Sequence, residues 1–252
     1  MKNIYERTQM LLGADMLKKI QSKKIIVFGV GGVGSYALEA LVRAGIRNVA
    51  MVDDDVVEPS DLNRMAAALH STVGRRKIDA MEERLKDINP EVTIQKLDQR
   101  LNTDSISGFS LAQYDYIIDA IDEMPEKLIL IETAVKAGVP IISVMNTGNR
   151  FDPVKLRIGE IRKASVCTMA KNMKKELAGL GIKQHKILYS IEEPHREEVN
   201  DEDPGISSSI SFVPAAAGIL IAAETVKDLI FTVPGDKLLF GIKKPAQQYR
   251  VE

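Results

Sequence analysis

The sequence holds a single cysteine, Cys167. One thiol cannot form a disulfide framework or a cysteine-based zinc site, and such scarcity suits a reducing, cytoplasmic setting. Charge of one sign is also missing: 34 Lys and Arg stand against 35 Asp and Glu, a net charge of -1. There is no bulk basic signal for nucleic acid, so any contact with RNA must come from a local patch. Long hydrophobic runs are absent. The longest, residues 212–223, is soon followed by Glu224, Lys227 and Asp228 and reads as a buried helix rather than a membrane span. The opening MKNIYERTQM is too polar for a signal peptide. The phosphate-gripping pattern GxxxxGK[ST] does not occur, nor does an internal repeat or a linker long enough to mark a second independent domain. What remains is ordinary globular composition, 45% apolar and 27% charged, over 252 residues. That length suffices for one large α/β domain with a full core.

The most informative stretch is residues 23–64. Residues 24–29, KIIVFG, are an apolar, β-branched run of strand length. Gly29, Gly31, Gly32 and Gly34 then crowd together. A helical pattern follows, with Val33, Ala37, Leu41 and Ala44 on one face and Gly45 as its stop. A second strand over 49–52 ends in Asp53, Asp54 and Asp55. Strand, glycine turn, helix, strand and acid is the order of a nucleotide-binding βαβ unit. The glycines let the backbone turn sharply and approach a phosphate, to which the helix N-terminus offers N–H groups and positive dipole. Asp53 is placed to accept ribose hydroxyls. The fingerprint itself leaves the nucleotide open, with NAD as its default ligand.

Elsewhere, residues 1–22 read as a helical arm with Met10, Leu11, Met16, Leu17 and Ile20 apolar. Asp61, Asn63 and Arg64 fall just past the first two strands, in the crevice where doubly wound sheets bind ligands. Thr72 is expected to cap a helix that keeps Ile78, Met81, Leu85 and Ile88 in phase, with Lys77 in its first turn. A lysine there opposes the helix dipole, which a phosphate partner would explain. Further strands are expected over 92–97, 116–119 and 139–144, with a polar crossover over 98–113. A helix is expected from Pro125 to Gly138 with Leu128, Ile131 and Val135 inward. Asp122 could cap that helix or hold Mg²⁺. Past residue 151 the expectation is a strand over 154–161 in a different, partly antiparallel sheet, then a lysine-rich helix over 165–181 and a strand over 185–191. A mobile acidic loop over 192–205, a strand over 207–213, an apolar helix over 215–231 and a short strand after Pro234 complete it. The fold class expected is α/β, a Rossmann-like, doubly wound, mainly parallel sheet with a partly antiparallel C-terminal extension. It would be one domain over 1–252, with an arm (1–22), a nucleotide-binding core (23–150) and an extension (151–252).

Several short motifs then carry a resemblance. GVGGVGS at 29–35, VDxDxV at 52–57, Asn63-Arg64, TVGxxK ending at Lys77, INPE at 88–91 and DAxD at 119–122 are together similar to the ThiF/MoeB/HesA family of ubiquitin-activating-enzyme-like adenylating proteins. FDP at 151–153, YSIEEP at 189–194 and SFVPAAAG at 211–218 resemble the tRNA threonylcarbamoyladenosine dehydratase branch. The resemblance covers most of the chain and implies ATP and Mg²⁺ as cofactors. It implies that Gly29, Gly31, Gly32, Gly34, Asp53, Asp55, Asn63, Arg64 and Lys77 hold ATP, and that Asp122 is the metal ligand. Arg64, Lys77 and Asp122 would carry catalysis with Arg7, which the family sends into the site of a neighbouring subunit of a homodimer. The implied substrate is tRNA carrying threonylcarbamoyladenosine, with a sulfur-relay protein as a further partner and no membrane.

Two departures stand out. Asp61 occupies a position where the family usually has Asn, and Met65 one where it usually has Gln. Cys167, at a helix start, could be a thioester nucleophile, but an inert cysteine is favoured because adenylation needs no covalent nucleophile. The three histidines are too scattered for a metal site. Three functions are therefore in view: an ATP-dependent dehydratase acting on modified tRNA, an activating enzyme for a sulfur-carrier or ubiquitin-like protein, and a nucleotide sensor or NAD protein. The paired CxxC motifs of the sulfur-carrier-activating relatives are missing, which favours the first over the second.

Overall fold

In the computed structural model, which describes residues 4–164, 167–195 and 208–231, seven segments pair into one sheet. They are β1 (Lys24–Phe28), β2 (Asn48–Val52), β3 (Thr93–Leu97), β4 (Tyr116–Asp119), β5 (Ile141–Val144), β6 (Leu156–Glu160) and β7 (Lys186–Ser190), in the order β3-β2-β1-β4-β5-β7-β6. All neighbours are parallel except β6 and β7. The helices are α1 (Glu6–Leu12), α2 (Ala14–Gln21), α3 (Gly34–Ala44), α4 (Lys77–Ile88), α5 (Met124–Ala137), α6 (Thr168–Gly179) and α7 (Phe212–Phe231). Both faces of the sheet are covered, which is why its central strands are apolar throughout. Ile25 and Val27 of β1 join a core with α3, α4 and α7, while Ile26 and Phe28 join a second core with α5 and α6. The strand order reverses between β1 and β4, and that switch point opens a crevice at the C-terminal ends of the strands.

Against α3, α7 packs closely. A Cβ at Gly218 would lie 2.4 Å from the Val33 carbonyl oxygen, and one at Gly32 would lie 3.3 Å from Pro214. Contacts rising together along both chains mean that α3 and α7 run parallel. Both N-termini therefore point to the glycine turn.

Several expectations are corrected. Residues 156–160 form the edge strand of the one sheet and not a different sheet. The helix expected from Thr72 begins only at Lys77. Its delay has a cause: Thr72 Oγ1 is tied to Leu69 N and Ala67 O, Gly74 takes φ +84°, and Arg76 bridges to Val56. Val135 is 44% exposed, because the buried stripe of α5 runs through Lys127, Leu130, Ile131 and Ala134. The strand expected over 207–213 is not formed by its described part; α7 starts at Phe212 and takes Pro214 into its first turn, where a missing N–H costs little. The arm is helical but broken at Gly13, whose φ is +82°. Of the acidic loop expected to be mobile, Glu192 is fastened to the N–H groups of Phe151 and Asp152. Residues 196–205, the first two residues of the helix expected from 165, and the strand expected after Pro234 lie outside the described residues.

Candidate active site

Two of the glycines are demanded by packing. Gly29 has φ +86°, and a Cβ on it would sit 2.5 Å from Ala120 O at the start of the β4–α5 turn. A Cβ on Gly34 would sit 1.8 Å from Gly29 O, so α3 can leave the strand this tightly only with glycine there. Gly31 is different: nothing lies within 4 Å of where its Cβ would be, so the turn presents open backbone there. Beside Gly32 runs the aliphatic stem of Arg64, 3.3 Å from where its Cβ would be.

The acids after β2 are fixed by this turn. Asp53 accepts from Val30 N at 2.7 Å and Asp55 N at 2.9 Å. Burial pushes its carboxyl up, while those N–H groups and Lys77 pull it down. Lys77 is 9% exposed and its Nζ donates to Asp55 at 2.7 Å. Burial opposes its charge, but Asp55, Asp53 and Asp61 outweigh burial and hold the ammonium charged, its pKa above the ordinary value. The pairing of 55–57 with 74–77 aims the lysine here: Val57 N bonds Arg75 O, and Lys77 N bonds Asp55 O.

The departures from the family pattern become intelligible. Asp61 is buried, accepts from Glu58 N at 3.0 Å and pairs with Arg64 at 3.1 Å. It therefore acts as a cap and a counter-charge. Met65 is core. Arg64 also donates to Ser60 O at 2.5 Å and to Asn63 Oδ1 at 3.3 Å, so its fork is held beside the turn.

A cleft of about 150 Å³ is lined by Gly29, Gly31, Asp53, Asp55, Lys77 and Asp122, among others. Sequence-expected residues thus meet from β1, β2, α4 and the β4–α5 turn. Gly32, Gly34, Asn63 and Arg64 support its edge without lining it. Arg7 is an exposed residue of α1 and does not line the cleft. Asp122 is exposed and does not cap α5, whose N-cap is Glu123. Its carboxylate pairs with no described cation, which leaves it available to an incoming one. No cluster of three metal-ligating side chains exists among the described residues. One carboxylate plus phosphate oxygens is a donor set that Mg²⁺ accepts, so the residues fit that ion. Cys167 is buried in the α6 core and does not line the cleft, in keeping with an inert thiol.

Sequence reasoning missed Arg100 and Lys127. Arg100 lines the cleft and reaches Glu123 at 3.3 Å and Glu126 at 3.4 Å; its place just past β3 was the available signal. Lys127 and Asp119, both 0% exposed, pair at 3.0 Å under the cleft, and Asp119 also accepts from Ile121 N at 3.1 Å. A lysine inside a helical apolar stripe carried no such signal.

His185 lies close by, bonded through Nε2 to Ser143 Oγ at 2.8 Å. Burial, aided by Lys127, lowers its pKa from 6.5 to about 3. Between those values the unfolded chain binds the extra proton, so stability falls as pH falls, by about 1.4 kcal/mol per pH unit. Urea unfolding at pH 7 and pH 5 should show a loss for the wild-type protein about 2 kcal/mol larger than for His185→Gln. Equal losses in the two proteins would contradict a neutral, buried imidazole.

These features define an adenylating-type nucleotide site on a doubly wound sheet. The chain belongs to the ThiF family, whose model matches residues 5–246. It is 34% identical over 239 residues, 90% of this chain and 94% of its relative, to the tRNA threonylcarbamoyladenosine dehydratase of Bacillus subtilis. Its fold superposes on the Escherichia coli tRNA N6-threonylcarbamoyladenosine dehydratase TcdA in complex with ATP, with TM-score 0.82 and 27% identity over 89% of this chain and 93% of that one. A partial likeness, 35% over 50% of this chain and 28% of the relative, is to an adenylyltransferase and sulfurtransferase of Lodderomyces elongisporus, UBA4.

Proposed function

We propose that this protein is an ATP-dependent tRNA threonylcarbamoyladenosine dehydratase. The near full-length match to enzymes of that name, with a cleft that gathers Gly31, Asp53, Lys77 and Asp122, supports it most strongly. A carboxylate does not lose oxygen as hydroxide. Attack by the threonyl carboxylate on the α-phosphate of ATP expels pyrophosphate and makes that oxygen part of AMP, a good leaving group. A neighbouring nitrogen or oxygen of the same modified nucleoside then closes the ring and releases AMP, so one water is lost overall.

The residues divide the work. Gly31 lets the phosphates approach the N-terminus of α3. Asp53 accepts the ribose hydroxyls, with Asp55 and Asn63 completing the nucleotide contacts. Lys77 and Arg64 exchange their acidic partners for phosphate oxygens and offset charge as pyrophosphate departs. Mg²⁺, held by Asp122 and phosphate oxygens, would supply further neutralisation. Arg7 is too peripheral in its own chain for this, so the enzyme is read as a homodimer in which the arm crosses. Exposed Met10 and Leu11 on that arm, 80% and 83% accessible, suit burial against a second copy. A sulfur-relay protein is retained as a further partner, and a cytoplasmic location accords with tRNA as substrate. No helix among the described residues is long and apolar enough to cross a membrane.

Pyrophosphate release from ATP is the test. It should rise with tRNA carrying threonylcarbamoyladenosine, and not with a protein ending in Gly-Gly or with NAD. Stimulation by the Gly-Gly protein instead would assign the chain to sulfur-carrier activation.

A further inference from the structure

Arg150 ends the loop after β5. It is 8% exposed, yet no carboxylate lies within ion-pair reach of it among the described residues. Its Nη1 donates to main-chain oxygens of its own loop, Asn149 O at 3.2 Å and Gly148 O at 3.5 Å. Its Nε is buried and has no acceptor among the described residues. The other buried cations differ: Lys77 has Asp55 and Lys127 has Asp119. Glu192, bonded to the adjoining Phe151 N and Asp152 N, is also engaged by His195 at 3.1 Å. An arginine stays charged, and withdrawing it from water without an anion is costly. With no carboxylate beside it among the described residues, this guanidinium can take up an anion that arrives.

The location says which one. Asn149, in the left-handed region at φ +56°, accepts from Ser208 N at 2.9 Å and Oγ at 2.7 Å, and donates from its own N to Ser208 O at 2.8 Å. The next residue, Ser209, accepts from Asn63 Nδ2 at 3.1 Å, and Asn63 accepts from Arg64. A continuous hydrogen-bonded rim thus runs from Arg64, beside the glycine turn, across to Arg150 on the β5 side. The phosphates belong to the Arg64 end. The second reactant of an adenylation is a carboxylate, and it must meet the α-phosphate from another direction.

We propose that Arg150 receives the substrate carboxylate that is adenylated, which rests on the function proposed above. Its planar fork matches a carboxylate bidentately, and lysine does not reproduce that geometry. Held there, the carboxylate is oriented before it attacks.

The test uses Arg150→Ala and Arg150→Lys in the full chain, with modified tRNA as substrate. Losing one charge-assisted contact should lower kcat/KM for the tRNA about 10- to 100-fold. The ATP-induced rise in melting temperature should persist in both variants, which shows that fold and nucleotide site are intact. Added guanidinium should restore part of the activity of Arg150→Ala, and Arg150→Lys should recover less than the wild-type rate. Wild-type kcat/KM in both variants, or a loss that guanidinium does not rescue while ATP still binds, would overturn the role of Arg150. A wild-type enzyme that ignores modified tRNA would instead overturn the function on which it rests.

Discussion

Lys77→Met should lower kcat/KM by about 10²–10³-fold, the cost of losing one preorganised positive group at developing charge. The ammonium is 9% exposed and sits among Asp55, Asp53 and Asp61. Without ATP those acids neutralise it. In the proposed ATP complex, the phosphate chain takes its charge. Methionine fills the same space but leaves the acids uncompensated, so the cleft becomes more negative where a polyanion must bind. Asp53, already pushed up by burial, also loses the cation that pulls it down. Stability should fall by about 1 kcal/mol, because Asp55 is largely exposed and rehydrates when its partner goes, while Asp53 loses a nearby cation but keeps its two N–H donors. Steady-state kinetics and urea unfolding on one preparation separate the two effects. A large stability loss with unchanged kcat/KM would make Lys77 a structural residue.

Arg7→Ala and Arg64→Ala should each be nearly inactive alone, and mixing them as subunit-exchanged heterodimers should restore part of the activity. Arg7 is exposed on α1 and pairs with no described residue of its own chain. The arm that carries it is anchored at its other parts. Tyr5 donates to Val42 O at 3.0 Å, and Lys19 reaches Ile230 O at 2.9 Å. With the sites shared as proposed, one site of the mixed dimer holds both arginines and the other holds neither. Losing such a guanidinium from a transition-state contact costs on the order of 2–4 kcal/mol, so the difference between paired and unpaired sites is easily read. Mixing that restores nothing, despite measured subunit exchange, would place Arg7 outside the reaction.

How much of this was legible in the sequence varied with the physics behind each signal. The glycine turn, α3 and the acids after β2 were plain, because tight packing admits little but glycine and because a buried strand must be apolar. β4 was bounded to the residue, since it is apolar up to Asp119 and both neighbours are strands. Signals failed where tertiary contacts overrode local pattern. Thr72 has the chemistry of a helix cap, but its hydroxyl is taken by its own turn. Val135 keeps helical spacing with Leu128 and Ile131, which do pack inward, yet the buried stripe of α5 runs through Lys127, Leu130, Ile131 and Ala134 and leaves Val135 exposed. A strand was expected over 207–213, but α7 begins at Phe212, where Gly218 packs on α3. In the site, Asp53, Lys77 and Asp122 followed from motif and resemblance. Arg100 and Arg150 did not, because their significance lies in what surrounds them rather than in a pattern.

The most direct measurement follows one oxygen atom. Modified tRNA labelled with oxygen-18 in the threonyl carboxylate is incubated with the protein, ATP and Mg²⁺, and the products are analysed by mass spectrometry. The expected result is one labelled oxygen in AMP, unlabelled pyrophosphate, and a nucleoside lighter by one labelled water. AMP without label, or a nucleoside that loses water with its label left in solvent, would contradict adenylation of that carboxylate at this site.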